Sequence, residues 1–296
     1  MALKTLLTTK PPTPYFRPPP IHLCVVLVVE QPRVVAWEFD ANGARPAQTK
    51  MNILAALTDG DSVAKVTVFE EFGKRFKEGG SYNVKGLSLR GQSPPYQLNI
   101  TKDTLFFRSA PIALSAALKR EAELLIHPPS PLTPLSTCRE ARGLITVEGE
   151  VVELSALKEV TTGRDVVPLR NVTMQQGESQ MSLCFWREAA IWQLQVGAHI
   201  KVSHLKAGRS NYGLRLQSTN FSTIEEVRSE DIVGALGVME IEGDPGNLNL
   251  LLEDGRTVLI EERLWEPIEL AMIEPVIKVQ IKMTGNKVQA IEVAKN

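Results

Sequence analysis

AKVTVFEEFGKRFKEGGSYNVKGLSLRGQSPPYQLNI at 64–100 and QMSLCFWREAAIWQLQVGAHIKVSHLKAGRSNYGLRLQ at 180–217 are two copies of one pattern. Each begins with a strand ending in an aromatic, Phe69 or Trp186. A short helix-like segment follows, with a second aromatic, Phe76 or Trp192. A glycine stands eleven residues after the first aromatic, Gly80 or Gly197. Then come a strand, a polar loop, a tyrosine (Tyr96, Tyr212) and a last strand. The copies are offset by 117 residues at the first aromatic and the glycine, and by 116 at the second aromatic and the tyrosine. Agreement at four landmarks marks an internal repeat. A fainter third copy places Thr257–Arg263 on Val66–Phe72. Pro267–Met272 would be its helix, and Lys278–Met283 with Val288–Val293 its closing hairpin around Thr284-Gly285-Asn286.

Outward from the copies, proline sets the boundaries. Residues 1–20 hold six prolines, which oppose helix and central strand and predict an extended tail. His127 to Pro134 is a second proline-rich break. Pro111–Ile126 just before it reads as a helix, with Leu114, Leu118 and Leu125 on one stripe and proline in the first turn. The remainder reads as short strands between turn signals, so the chain is expected to be all-β with short helices. The expected organisation is a disordered tail at 1–20, a first barrel at 21–110 and a helix and linker at 111–141. A second barrel at 142–224 and an acidic, smaller barrel-like domain at 225–296 complete it.

Composition excludes several classes. Of 296 residues, 43% are hydrophobic and 23% charged, an ordinary soluble mix. The longest apolar run, Leu23–Val29, is far short of the roughly 20 residues a spanning helix takes, so no membrane partner is expected. The cysteines at 24, 138 and 184 form no CxxC, which argues against a zinc site or disulfide framework and for reduced thiols inside a cell. No glycine-rich phosphate loop, GxSxG or HExxH occurs, and Glu70-Glu71 and Glu261-Glu262 point to opposite faces of a strand. No enzyme activity, catalytic residue, metal or cofactor is expected. The net charge of −1 hides an asymmetry: +2, +3 and +2 over 1–45, 46–127 and 128–223, against −8 over 224–296. The first three quarters suit a polyanion and the last repels one.

Strand, strand, strand, helix, strand, strand is the order of the OB-fold, a five-stranded Greek-key barrel. The two copies, Ala64–Phe107 and Gln180–Phe221, resemble the tandem single-strand-binding OB-folds of the replication protein A large subunit. Similarity to the tandem OB-folds of the HIN type, which grip duplex DNA, is weaker. Arg33–Ile53 and Leu144–Asn171 would supply the first two strands of each barrel. The resemblance implies tandem OB-fold barrels, two clear and a third smaller. It also implies base stacking by Phe69 with Tyr96 and by Trp186 with Tyr212. The backbone would be gripped by first loops at about Asn42–Lys50 and Lys158–Asp165. The third copy departs from the pattern, with Ile260 at the stacking position, and no cysteines build the family's zinc ribbon.

Alternation along the strands sharpens these candidates. Phe69 shares a face with Lys65 and Thr67, and Trp186 with Gln180, Ser182 and Cys184, so both rings are expected outward. Tyr96 shares parity with Leu98 and Ile100, and Tyr212 with Leu214 and Leu216, which places them inward unless their loop-edge position prevails. Phe72, Phe76 and Trp192 are expected in the core. The candidate phosphate contacts are Arg45, Lys50 and Lys65 in the first barrel. Lys158, Arg164, Arg170, Lys206, Arg209 and Arg215 are those of the second. The expected function is non-enzymatic binding of single-stranded DNA or RNA, with DNA favoured by the resemblance alone. An intracellular, nuclear role in replication or repair would follow. The alternatives are an OB scaffold for protein partners and a duplex-backbone binder. The acidic C-terminal domain is the expected seat of a protein partner.

Overall fold

The computed structural model describes the chain except residues 1, 14, 15, 42, 164, 211, 212, 274, 295 and 296, and the side chains of 209 and 210. The chain divides into two compact units, Met1–Glu38 with Arg45–Pro129, and Phe39–Ala44 with Ser130–Asn296.

The first unit contains α1 (Leu3–Thr8), β1 (Ile21–Asp40), β2 (Gly43–Thr58) and β3 (Val63–Val68). A 3-10 turn at Glu70–Arg75 precedes β4 (Ser81–Lys85), β5 (Ser88–Arg90), β6 (Gln97–Asn99), β7 (Leu105–Arg108) and α2 (Ala116–Ile126). One sheet runs β3-β2-β1-β4-β7, β5 pairs with β6, and β6 lies against β3. β4 and β5 are thus two halves of a fourth strand, broken at Gly86. That glycine has φ +80, and a Cβ there would lie 2.4 Å from the Asp103 carbonyl oxygen, so no other residue fits. Alternating Leu23, Val25, Ala55, Leu57, Val66 and Val68 meet Leu98 and Ile100 in the core.

The amino-terminal segment is not a disordered tail. Residues 3–8 form a helix whose Leu3 and Leu6 are buried in the first barrel's core. The prolines begin only at Pro11, so nothing prevented a helix before them, and two leucines one turn apart had a core to enter. The Asp59 carboxylate anchors this helix, accepting from the Leu3 N–H at 2.6 Å and from the Ser62 N–H at 3.0 Å. Partial burial pushes the Asp59 carboxyl up. Hydrogen bonds from the Leu3, Ser62 and Asp61 N–H groups and the Ser62 hydroxyl outweigh this and hold it below its ordinary value of 3.8. A carboxyl lowered in the folded state contributes stability above its unfolded pKa and loses it as pH falls through the folded one. The first unit is therefore expected to lose stability on acidification below about pH 4, and Asp59→Asn to flatten that loss. Urea midpoints between pH 3 and 7 for both proteins measure it; parallel curves would contradict the assignment.

α2 begins at Ala116, five residues later than its proline suggested, because Ser115 caps it by accepting from the Leu118 N–H at 3.2 Å. Its buried stripe is Leu118, Ala122 and Ile126, and it packs against β3.

The second unit holds two closed barrels. The first is built from β8 (Leu144–Leu154), β9 (Lys158–Thr162), β10 (Asp165–Gln176), β11 (Ser179–Trp186), β12 (His199–Ser210), β13 (Gly213–Gln217) and β14 (Ile224–Glu226). β8 and β9 are one first strand in two parts. Closure runs β8-β10-β11-β13-β12-β8, with β11 and β13 parallel. A 3-10 turn at Arg187–Ile191 stands between β11 and β12. The other barrel is β15 (Arg228–Glu240), β16 (Asn247–Leu252), β17 (Thr257–Glu261), β18 (Ile277–Thr284) and β19 (Lys287–Val293). It closes β15-β16-β17-β19-β18, with α3 (Glu262–Ala271) between β17 and β18. Strand order 1-2-3-5-4-1, with the third and fifth strands parallel, is the closure of both. The protein is a set of OB-type barrels.

Three local expectations need correction. Residues 43–50 and 158–165 are not loops; they lie largely on extended hairpins, β1–β2 and β9–β10. The proline-rich linker ends early, because Leu135 and Cys138 are buried in the core of the β8–β13 barrel and the Thr133 N–H donates to Thr146 O at 2.8 Å. Trp192, expected in the core, is 44% exposed. All three cysteines are buried thiols.

Candidate nucleic-acid interface

The interface assembles on the outer face of the β8–β13 barrel. Met174, Val172 and Leu183 alternate inward, so Leu169, Asn171 and Thr173 on β10, and Ser182, Cys184 and Trp186 on β11, are on the outer parity; Cys184 is nevertheless buried among its neighbours there, and the other five are half-buried. Leu169 stands opposite Trp186 on one side and opposite Lys158 on the other. Directly opposed residues share a face, so Lys158, Leu169 and Trp186 form one row across three strands. The next row is Asn171, Cys184, Gln217 and Lys206. Arg215 lies beside it, opposite Gly208.

Trp186 is half-buried and outside the core. Its backbone N–H donates to Ser218 Oγ at 2.8 Å, and the Ser218 N–H donates back to Cys184 O at 3.0 Å, which fixes the strand end that carries the ring. Burial pushes the Cys184 thiol up, and the Arg215 cation pulls it partly back; Arg215 is two residues from Gln217 on β13, which sets it on the same face. Lys158 and Lys206 are exposed. An indole on an apolar side chain, with ammonium groups at both margins and a guanidinium between, has the chemistry that a stacked base and its phosphates would require.

Other candidates fall elsewhere. Arg170 stands opposite Phe185, on the inward parity, and donates to Trp192 O at 3.3 Å. Its Nε is buried without a hydrogen-bond partner among the described residues, and burial lowers its pKa. Arg164 and Tyr212 lie outside the described residues, as does the Arg209 side chain.

The first barrel does not assemble the matching groove. Phe69 is half-buried and outside the core, with the Arg90 guanidinium over its ring at 5.7 Å. Tyr96 is buried, in keeping with its parity with Leu98 and Ile100, and its N–H donates to Leu7 O at 2.8 Å. The segment after α1 leaves beside it only a pocket of about 570 Å³, lined by Lys10, Phe16, Arg17 and Leu89 among others. Arg45 pairs with Glu38 at 2.8 Å, and Lys50 with Glu71 at 3.6 Å. Partial burial lowers the pKa of Lys65. The face that Lys65 shares with Leu54, Ala56 and Val63 is covered in part: those three are buried and α2 packs against β3, while Lys65 itself stays exposed. In the third barrel Ile260 is fully buried, so nothing stacks on it.

Sequence reading missed Leu169 and Asn171, the floor of the assembled face. Alternation against Val172 and Met174 would have found them. It also missed Phe107, which is 54% exposed on β7.

No family model and no curated protein matches the chain. Among solved structures it is similar to the p204 HINb domain, at 14% identity over 70% of this chain and 96% of that one, with a TM-score of 0.36. A replication protein A heterotrimer bound to ssDNA is similar at 9% identity over 96% of this chain and 95% of that one, with a TM-score of 0.32. The OB domain of Ta0387 from Thermoplasma acidophilum is similar at 17% identity over 33% of this chain and 88% of that one, with a TM-score of 0.28. The assignment of the barrels rests on their strand pairing.

Proposed function

We infer that the chain is a non-enzymatic nucleic-acid-binding protein that holds a single strand, DNA in the first place, on the outer face of the β8–β13 barrel. The observation that carries this is the row Lys158–Leu169–Trp186 with Lys206 and Arg215 alongside. The ring stacks on any base, and the cations displace counterions from phosphates. One barrel serves a short footprint, roughly 4–16 nucleotides. The preference for DNA follows the resemblance to replication protein A, and a nuclear role in replication or repair would follow from it.

Fluorescence anisotropy with a labelled strand of about 15 nucleotides and the matching duplex, across a salt series, tests the reading. Single-strand binding should be the tighter and should weaken with salt. The double variant Lys206→Gln/Arg215→Gln should reduce the slope of log K against log salt by about 1.4, two single-strand phosphate contacts' worth. Equal or better duplex binding would replace this reading with a duplex-backbone binder. A salt-independent affinity would remove the cations from the interface.

A further inference from the structure

The first unit leaves one strand edge open. β6 and β7 are successive parts of its last strand. β6 lies against β3, as closure of a barrel requires, whereas β7 pairs with β4 on one side and, among the described residues, with no strand on the other. The Ser109 N–H donates to Ser81 O at 3.0 Å, so Asn83–Phe107 and Lys85–Leu105, further along the same ladder, are the hydrogen-bonded pairs. The backbone N–H and C=O groups of Phe106 and Arg108 therefore point away from β4. Thr104 has the same parity, and its carbonyl accepts from Arg75 Nη1 at 2.9 Å, so the open edge begins at Phe106.

The side chains alternate with the backbone. Phe106 lies inside, its ring centroid 5.4 Å from that of Phe76 and 5.8 Å from that of Tyr82. Leu105 and Phe107 point out, 49% and 54% exposed. An edge with unpaired backbone groups is a template for another strand, and proteins blunt such edges with proline, charge or a bulge. β7, Leu105-Phe-Phe-Arg108, has no proline and no register shift, and its charge stands only at its end.

The edge is complementary to itself. Consider two antiparallel copies of β7 related by a two-fold axis. Phe106 opposite Phe106 would set Arg108 against Thr104, whose carbonyl Arg75 occupies. Arg108 opposite Arg108 would oppose like charges and set Phe106 against Ala110, whose carbonyl lies 3.0 Å from His22 Nε2. Phe106 opposite Arg108 uses every open N–H and C=O on both strands. It also sets Phe107 on the axis, ring facing ring at the close spacing of a non-hydrogen-bonded pair, and Leu105 opposite Ser109, with no like charges opposed.

We propose that β7 is a dimer interface, pairing antiparallel with the β7 of a second copy of this chain, Phe106 opposite Arg108 and Phe107 on the two-fold axis. The proposal does not depend on nucleic-acid binding.

Sedimentation equilibrium of the full chain between about 1 and 300 µM tests it, a range suited to a small interface. The average mass should rise reversibly toward twice the monomer's. Phe107→Asp opposes two carboxylates on the axis, and Arg108→Pro removes an N–H that the sheet does not use. Each should weaken association by about tenfold or more. The register has its own measurement. The native cysteines are buried, so mild oxidation should crosslink Phe107→Cys across the axis, where the Cα atoms stand about 4.5 Å apart, and should not crosslink Leu105→Cys. A chain that stays monomeric throughout would overturn the proposal and leave the edge to a strand of another protein. So would a dimer that either Phe107→Asp or Arg108→Pro leaves unchanged, or a Phe107→Cys protein that crosslinks no better than Leu105→Cys.

Discussion

Replacing Trp186 by alanine is expected to weaken single-strand binding by about 1–3 kcal/mol, or roughly 5- to 150-fold, the effect of one lost stacking platform. The geometry makes this a test of function and not of folding. Trp186 sits outside the core, and its backbone is held by the Ser218 hydroxyl, which the substitution does not touch. Its neighbour Phe185 is fully buried and faces the other way. Phe185→Ala should cost about 3–5 kcal/mol of stability. Trp186→Ala should leave the melting transition near the parent's and change affinity. Phe69→Ala should barely change it, because α2 packs on part of the first barrel's corresponding face, Tyr96 is buried and Arg90 lies over the ring. Anisotropy titrations of the three variants, each checked by circular dichroism, measure this. A folded Trp186→Ala protein with parental affinity would sink the stacking assignment.

Leu3→Ala is expected to destabilise the first unit by about 2–5 kcal/mol, as a fully buried leucine does in a packed core. Leu3 is 0% exposed, and the Asp59 carboxylate holds its N–H. The six-residue α1 is too short to form alone, so it is helical only because the barrel receives it. The unfolding midpoint in urea measures the loss. A shift worth less than about 0.5 kcal/mol, the scale of an ordinary surface substitution, would return these residues to the status of a loose tail.

Much of the fold was legible because β-strands write themselves in alternation. The repeat, the outward parity of Phe69 and Trp186, and the closing hairpin of the third barrel around Gly285 all followed from period-2 patterning and turn chemistry. The misreadings share one cause. Proline counting assigned 1–20 to a tail, yet two leucines ahead of the prolines found a core. Parity pointed the Lys65 face of β3 outward, and a helix more than 40 residues away packs against that strand. Tyr96 was weighed between loop edge and core, and its own strand's parity together with the segment after α1 put it inside.

The sequence by itself determined what is local: which residues alternate, where strands turn, where charge accumulates, and that one unit recurs. Those properties depend on near neighbours along the chain, within reach of backbone geometry and propensity. Only the tertiary structure decided what lies against the outer face of each barrel. It packed α2 against one and set Lys158, Leu169, Trp186 and Gln217 side by side on the other. Burial of a sheet's second face depends on which distant apolar stripe lies within reach, and that is a property of the folded chain as a whole.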